Sequence, residues 1–209
     1  MKLSGLFKKG DEKKSIRDNG KMEFRFCFAP KSLSIIDVLE IIDQSGDFLP
    51  LTISISDTRH HVDQQSIFLH PEFRAGFCFN SEDYIVQNTT SVFDYEVREL
   101  RPDKIYKNFG DKKVDIQNNP GRSEVTSLTW LVSSWRMWFG RSFYEMVGKE
   151  KLQRFNSADI VKELAEEVTF IQLYDNPQDY NKAENRKKQQ AFRDHIDFAG
   201  LVLKYPRYR

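Results

Sequence analysis

Two cysteines in 209 residues, Cys27 and Cys78, cannot make a disulfide framework or a cysteine-rich zinc module. No apolar run approaches the roughly 18 residues that read as a membrane-spanning helix. The opening Met1–Lys9 has too short an apolar core for a signal peptide. A cytoplasmic, reducing location is the expectation. Charge of one sign is lacking too: 32 Lys/Arg stand against 31 Asp/Glu, a net of +1. A whole-molecule attraction for nucleic acid is therefore excluded. The chain holds no Gly-x-Gly-x-x-Gly, Walker loop, Gly-x-Ser-x-Gly or His-Glu-x-x-His, and no internal repeat or heptad run. No cofactor is implied, and enzymatic activity is not the leading expectation.

What is present builds a core. Apolar residues make up 39% of the chain and include 17 Phe, which argues against whole-chain disorder. The charge is unevenly placed. Residues 1–21 hold seven Lys/Arg against three Asp/Glu, and residues 182–209 hold eight against three, so the net of +1 leaves the body at −8. An acidic body with basic ends suits a cationic partner on the body or a phosphate surface at the ends.

Residues 1–21 read as a basic, loosely held tail and 22–209 as a single α+β domain. Met22–Ala29 alternates as a half-buried strand. Ser34 caps a helix over Ile35–Gln44, and Phe48–Ser56 alternates again. Further strands are expected at Ser66–Leu69, Ala75–Phe79, Tyr84–Gln87, Val92–Leu100 and Lys104–Phe109, joined as an antiparallel meander. Asp111–Gly121 reads as a polar loop. Val125–Val147 reads as one long helix, and a short helix from Asn156 or Ser157 carries Ile160, Val161, Leu164 and Val168. Thr169–Tyr174 reads as a strand and Asp179–Phe198 as a helix ended by Gly200. Leu201–Tyr205 is expected as a closing edge strand. The expected fold is thus α+β: an antiparallel sheet, mainly from the N-terminal half, packed against one early helix and a C-terminal helical group.

All three tryptophans fall in the presumed helix over 125–147. At helical spacing Leu128, Leu131, Val132, Trp135, Trp138, Phe139, Phe143 and Met146 form one stripe. Trp130, Met137 and Tyr144 form a second, opposite stripe. A helix with two apolar faces is either sandwiched in the core or turned toward a partner, which includes a second copy of the chain. On the second reading Trp130, Met137 and Tyr144 anchor an interface flanked by Arg136 and Arg141, residue types enriched at binding hot spots.

Two other groups carry chemistry. His60, His61, Asp63 and His70, with Asp57 and Glu72 close by, are types that hold zinc, manganese or iron. They are equally ordinary in polar turns. Lys182, Arg186, Lys187, Lys188 and Arg193, followed by Lys204, Tyr205, Arg207, Tyr208 and Arg209, could neutralise phosphates and stack on bases, or form a solvated face. Cys78, flanked by Phe77 and Phe79, is expected to be a buried, inert thiol. The leading expectation is a non-catalytic protein-binding module, of inhibitor or immunity type, for a cationic partner. A metal-dependent hydrolase using the histidine cluster is the alternative, and a nucleic-acid binder using the basic termini the second alternative.

Overall fold

In the computed structural model, residues 22–28, 73–100, 105–108, 110–164 and 167–207 are described. In chain order, β1 (Met22–Phe28) and β2 (Phe73–Asn80) precede α1 (Ser81–Asn88) and α2 (Val92–Val97). Two small hairpins follow: β3 (Ile105–Asn108) with β4 (Asp111–Val114), and β5 (Glu124–Val125) with β6 (Trp130–Leu131). Next come β7 (Arg136–Phe139), α3 (Arg141–Val147), α4 (Lys149–Gln153), β8 (Ile160–Leu164) and β9 (Val168–Gln172). A 3-10 turn at Pro177–Asp179 leads into α5 (Ala183–Ile196) and α6 (Phe198–Lys204).

The main sheet has five strands in the order β1-β2-β7-β9-β8, all pairs antiparallel. The α+β class expected from the sequence is the class observed. Directly opposed residues share a face of a sheet, so the register lays one row across it: Arg25, Phe77, Met137, Ile171, Val161. Phe139 projects from the same face and packs on Phe143 of α3 and Phe192 of α5, with ring centroids 4.5 and 5.7 Å away. Helices therefore cover this face, and Phe77, Met137, Phe139, Ile171 and Phe192 lie fully buried in the core.

At the β7–α3 junction Gly140 donates its backbone N–H to the Arg74 carbonyl. A Cβ at 140 would lie 2.4 Å from the Phe73 carbonyl oxygen. No side chain fits there, so the junction requires glycine for close approach.

Several expected elements differ. Residues 125–147 are not one helix; they form β5, β6, β7 and α3. The reason is local chemistry. Thr126 Oγ1 accepts from the backbone N–H groups of Leu128 and Thr129 and donates to the Thr129 carbonyl. Such side-chain bonds close a tight turn in place of helical bonds. The strands expected at Tyr84–Gln87 and Val92–Leu100 are α1 and α2. Asn80 caps α1, accepting from Glu82 and Asp83 N–H, and Ser91 caps α2, accepting from Asp94 N–H. Capping by Asn and Ser outweighs the period-2 pattern of Phe93, Tyr95 and Val97.

The expected loop at Asp111–Gly121 begins with β4, and the helix expected after Ser157 is β8. The closing strand is α6. The last long helix stops at Asp197, not Gly200; Asp197 turns left-handed (φ 57°) and caps α6 by accepting from Gly200 N–H. The tail at 1–21, Ile35–Gln44, Phe48–Ser56 and Ser66–Leu69 lie outside the described residues. Among the described residues no helix is long and apolar enough to cross a membrane.

Candidate functional site: an aromatic cage around a guanidinium

Three elements bring aromatic rings together at the β1 edge of the sheet. Phe79 is the last residue but one of β2, on the face shared with Phe77. Tyr84 comes from α1, which starts directly after β2 because Asn80 caps it. Trp130 opens β6. The Phe79 and Tyr84 rings stack at 4.8 Å, and Trp130 stands edge-on to both at 5.9 Å. Trp130 also meets Phe77 edge-on at 5.1 Å, which ties the cage to the core.

The cage holds a cation. The Arg25 guanidinium carbon lies 4.1 Å from the Tyr84 ring centroid, 4.8 Å from Trp130 and 5.3 Å from Phe79. All three fall within the roughly 6 Å over which an aromatic face attracts a cation. Glu23, two residues along β1 and therefore on the same face, completes the site. Arg25 Nε and Nη2 both reach Glu23 Oε1 at 2.6 Å. About a third of each side chain remains exposed, 35% for Arg25 and 37% for Glu23. The result is an internal planar cation held against three π faces and one carboxylate, with about a third of the pair open to solvent.

A buried polar network fixes α1 from beneath. Asp83 is 2% exposed; its Oδ1 accepts from Arg186 Nη1 at 2.5 Å and its Oδ2 from Gln189 Nε2 at 3.3 Å. Gln189 also accepts from Arg186 and donates to the Ser133 carbonyl. Asn80 donates to Gln178. Burial pushes the Asp83 carboxyl above its ordinary range, opposed by the Arg186 charge and its hydrogen bonds and aided by neighbouring Glu82. Burial likewise raises the Tyr174 and Tyr180 hydroxyls, with the Asp83 charge adding to both. Tyr174 Oη and Arg186 Nη2 find no hydrogen-bond partner among the described residues.

The residues picked out from the sequence do not share a face. Trp130 is a wall of the cage. Met137 is fully buried between Phe77 and Ile171. Arg136 lies over the Trp135 ring at 4.0 Å and donates to Gln172 Oε1 at 2.7 Å. Arg141 is exposed opposite Glu167, 3.7 Å away. Tyr144 shares a hydrogen bond with Thr169 Oγ1 at 3.0 Å. His60, His61, Asp63 and His70 lie outside the described residues. Cys78 is a free, buried thiol whose pKa burial pushes far up.

The cations of the last helices are mostly engaged within the fold. Arg186 pairs with Asp83, Lys182 with Asp179 at 2.8 Å, and Lys188 with Asp159. Arg193 donates to the Arg122 carbonyl at 2.6 Å and lies 3.5 Å from the Phe198 ring centroid. Lys187 is exposed.

Sequence reasoning did not single out Glu23, Arg25, Phe79 and Tyr84, the other members of this candidate site. One signal was legible: Asn80 followed by Glu82 and Asp83 is a helix start, and it places Tyr84 one turn along. No sequence rule brings Trp130 across to it. No family model, curated protein or solved structure matches this chain.

Proposed function

We propose that the chain is a non-catalytic protein-binding module for a cationic partner, in the manner of an inhibitor or immunity-type protein. The observation that carries the reading is the cage of Phe79, Tyr84 and Trp130 with Glu23 beside it, a surface site already suited to a positive side chain. The acidic body of the sequence supports it by favouring long-range encounter with a basic surface. Localisation in the cytoplasm belongs to the same proposal.

The test is a titration of the full chain with a basic and an acidic peptide of equal length, read by fluorescence anisotropy at low and high salt. The basic peptide is expected to bind, and its affinity to fall as salt rises. Trp130→Ala is expected to weaken that binding while the chain stays folded by circular dichroism. Equal binding of both peptides, or none of the basic one, sinks the proposal.

A further inference from the structure

The cage is occupied by the protein's own arginine, and the manner of its occupation says more about the ligand. Arg25 sits on β1, an edge strand of the sheet among the described residues. Among the described residues its contacts are the three rings and a carboxylate only two residues away on the same strand. The walls come from β2, α1 and β6, and the buried Asp83–Arg186–Gln189 network holds α1 in place. The receptor is thus built from the body of the fold, while its occupant arrives on the rim. Rotation of the Arg25 side chain toward solvent would leave the walls standing and Glu23 at the opening.

Geometry also selects the kind of cation. The Arg25 guanidinium carbon lies 4.1 Å from the Tyr84 centroid and uses Nε and Nη2 together on one carboxylate oxygen. A guanidinium can stack on a ring while donating in its own plane; an ammonium is a strongly hydrated point charge and cannot do both.

We infer that the cage is an arginine receptor and that Arg25 is its internal competitor: an arginine of the protein partner docks over the Tyr84 and Trp130 rings in place of Arg25 and takes over Glu23. This inference rests on the binding-module reading and deepens it. The internal occupant lowers the apparent affinity by the fraction of time it fills the site. If the site is open about a tenth of the time, removing the occupant tightens binding about tenfold.

The experiment compares the full wild-type chain with Arg25→Met, which keeps an unbranched apolar stem and removes the guanidinium. Arg25→Lys serves as the second variant should Arg25→Met fail to fold. Each is titrated with a basic peptide bearing one central arginine, with the lysine and citrulline versions of that peptide, and with free methylguanidinium. Tryptophan fluorescence gives the readout. The expected result is tighter binding of the arginine peptide by Arg25→Met, by about tenfold, and an intermediate gain for Arg25→Lys. The lysine peptide should bind several-fold more weakly and the citrulline peptide should lose the gain. If wild type binds the arginine peptide but neither variant tightens it, Arg25 is a fixture of the fold; the inference is overturned and the binding-module reading stands. If no variant binds any basic peptide, both fall. Equal affinity for methylguanidinium and the arginine peptide assigns the cage to a small guanidino compound and overturns the protein partner.

Discussion

Two arginines in this protein sit beside aromatic rings and pair with carboxylates, to opposite ends. Arg186 lies 5.4 Å from the Tyr180 ring and pairs with Asp83 across 103 residues of sequence, with side-chain exposures of 17% and 3%. Arg25 lies among three rings and pairs with Glu23 across two residues, with exposures of 35% and 37%. The first pair joins α5 to α1 and loses its counter-charge if either partner goes. The second joins a strand to itself, so its charge bond does nothing to hold the strand on the sheet. Burial and sequence separation, more than the chemistry of the pair, decide whether a guanidinium is a lock or an occupant.

The largest expected effect tests the lock. Arg186→Ala leaves Asp83 buried without its counter-charge and is expected to cost about 3–5 kcal/mol in urea unfolding. A loss below about 1 kcal/mol would mean that the carboxyl takes up a proton instead, and the contrast with Arg25 would narrow. Met137→Ala, in the middle of the cross-sheet row, is expected to cost about 2–5 kcal/mol. It should leave peptide affinity unchanged in the folded fraction. Trp130→Ala should cost less, about 2 kcal/mol, because the side chain is only half buried, yet it should abolish most of the binding. If Met137→Ala and Trp130→Ala lost binding equally, the site would extend into the core and the division between wall and body would fail.

The next effect is a pH dependence. Burial raises the Asp83 pKa in the folded chain, so the folded state holds this proton more tightly than the unfolded one. Its share of stability is fully present below the ordinary aspartate value and is lost as pH rises through the raised value. Asp83→Asn is expected to flatten that part of a stability-against-pH curve; an unaltered slope would show that another group sets it. The smallest effect is at the rim. Glu23→Gln breaks a part-exposed pair and should shift stability by less than about 1 kcal/mol, while weakening the arginine peptide several-fold.

The strands at Ala75 and Thr169 were legible as apolar runs, buried almost throughout, and the helix after Asp179 because its buried residues recur at helical spacing; the strand at Met22 was legible from its alternation. Around Trp130 the pattern misled. Apolar residues at 128, 131, 132, 135, 138 and 139 fit a helix, but Thr126, Thr129, Ser133 and Ser134 bond their own backbone or that of α5. That short-range competition has no period and is easily outvoted in a count. Of the site, only Trp130 was found from the sequence, and for a reason that the structure replaces. Arg25 reads as the polar side of an amphipathic strand. Its meaning depends on rings 54, 59 and 105 residues away at Phe79, Tyr84 and Trp130, and such distances follow from the sheet register and the cap at Asn80, not from local spacing.

Gly140 has a use beyond this molecule. With the Phe73 carbonyl 2.4 Å from where its Cβ would be, even alanine would force two core segments apart. Descendants of the same ancestral gene are free to exchange part-exposed residues such as Arg25, Glu23 or Tyr84, but they are expected to keep glycine at this junction. A search for relatives is therefore better anchored on the Phe-Gly-Arg-Ser-Phe run at 139–143 than on the cage: part-exposed side chains drift faster than a place where nothing larger than hydrogen fits.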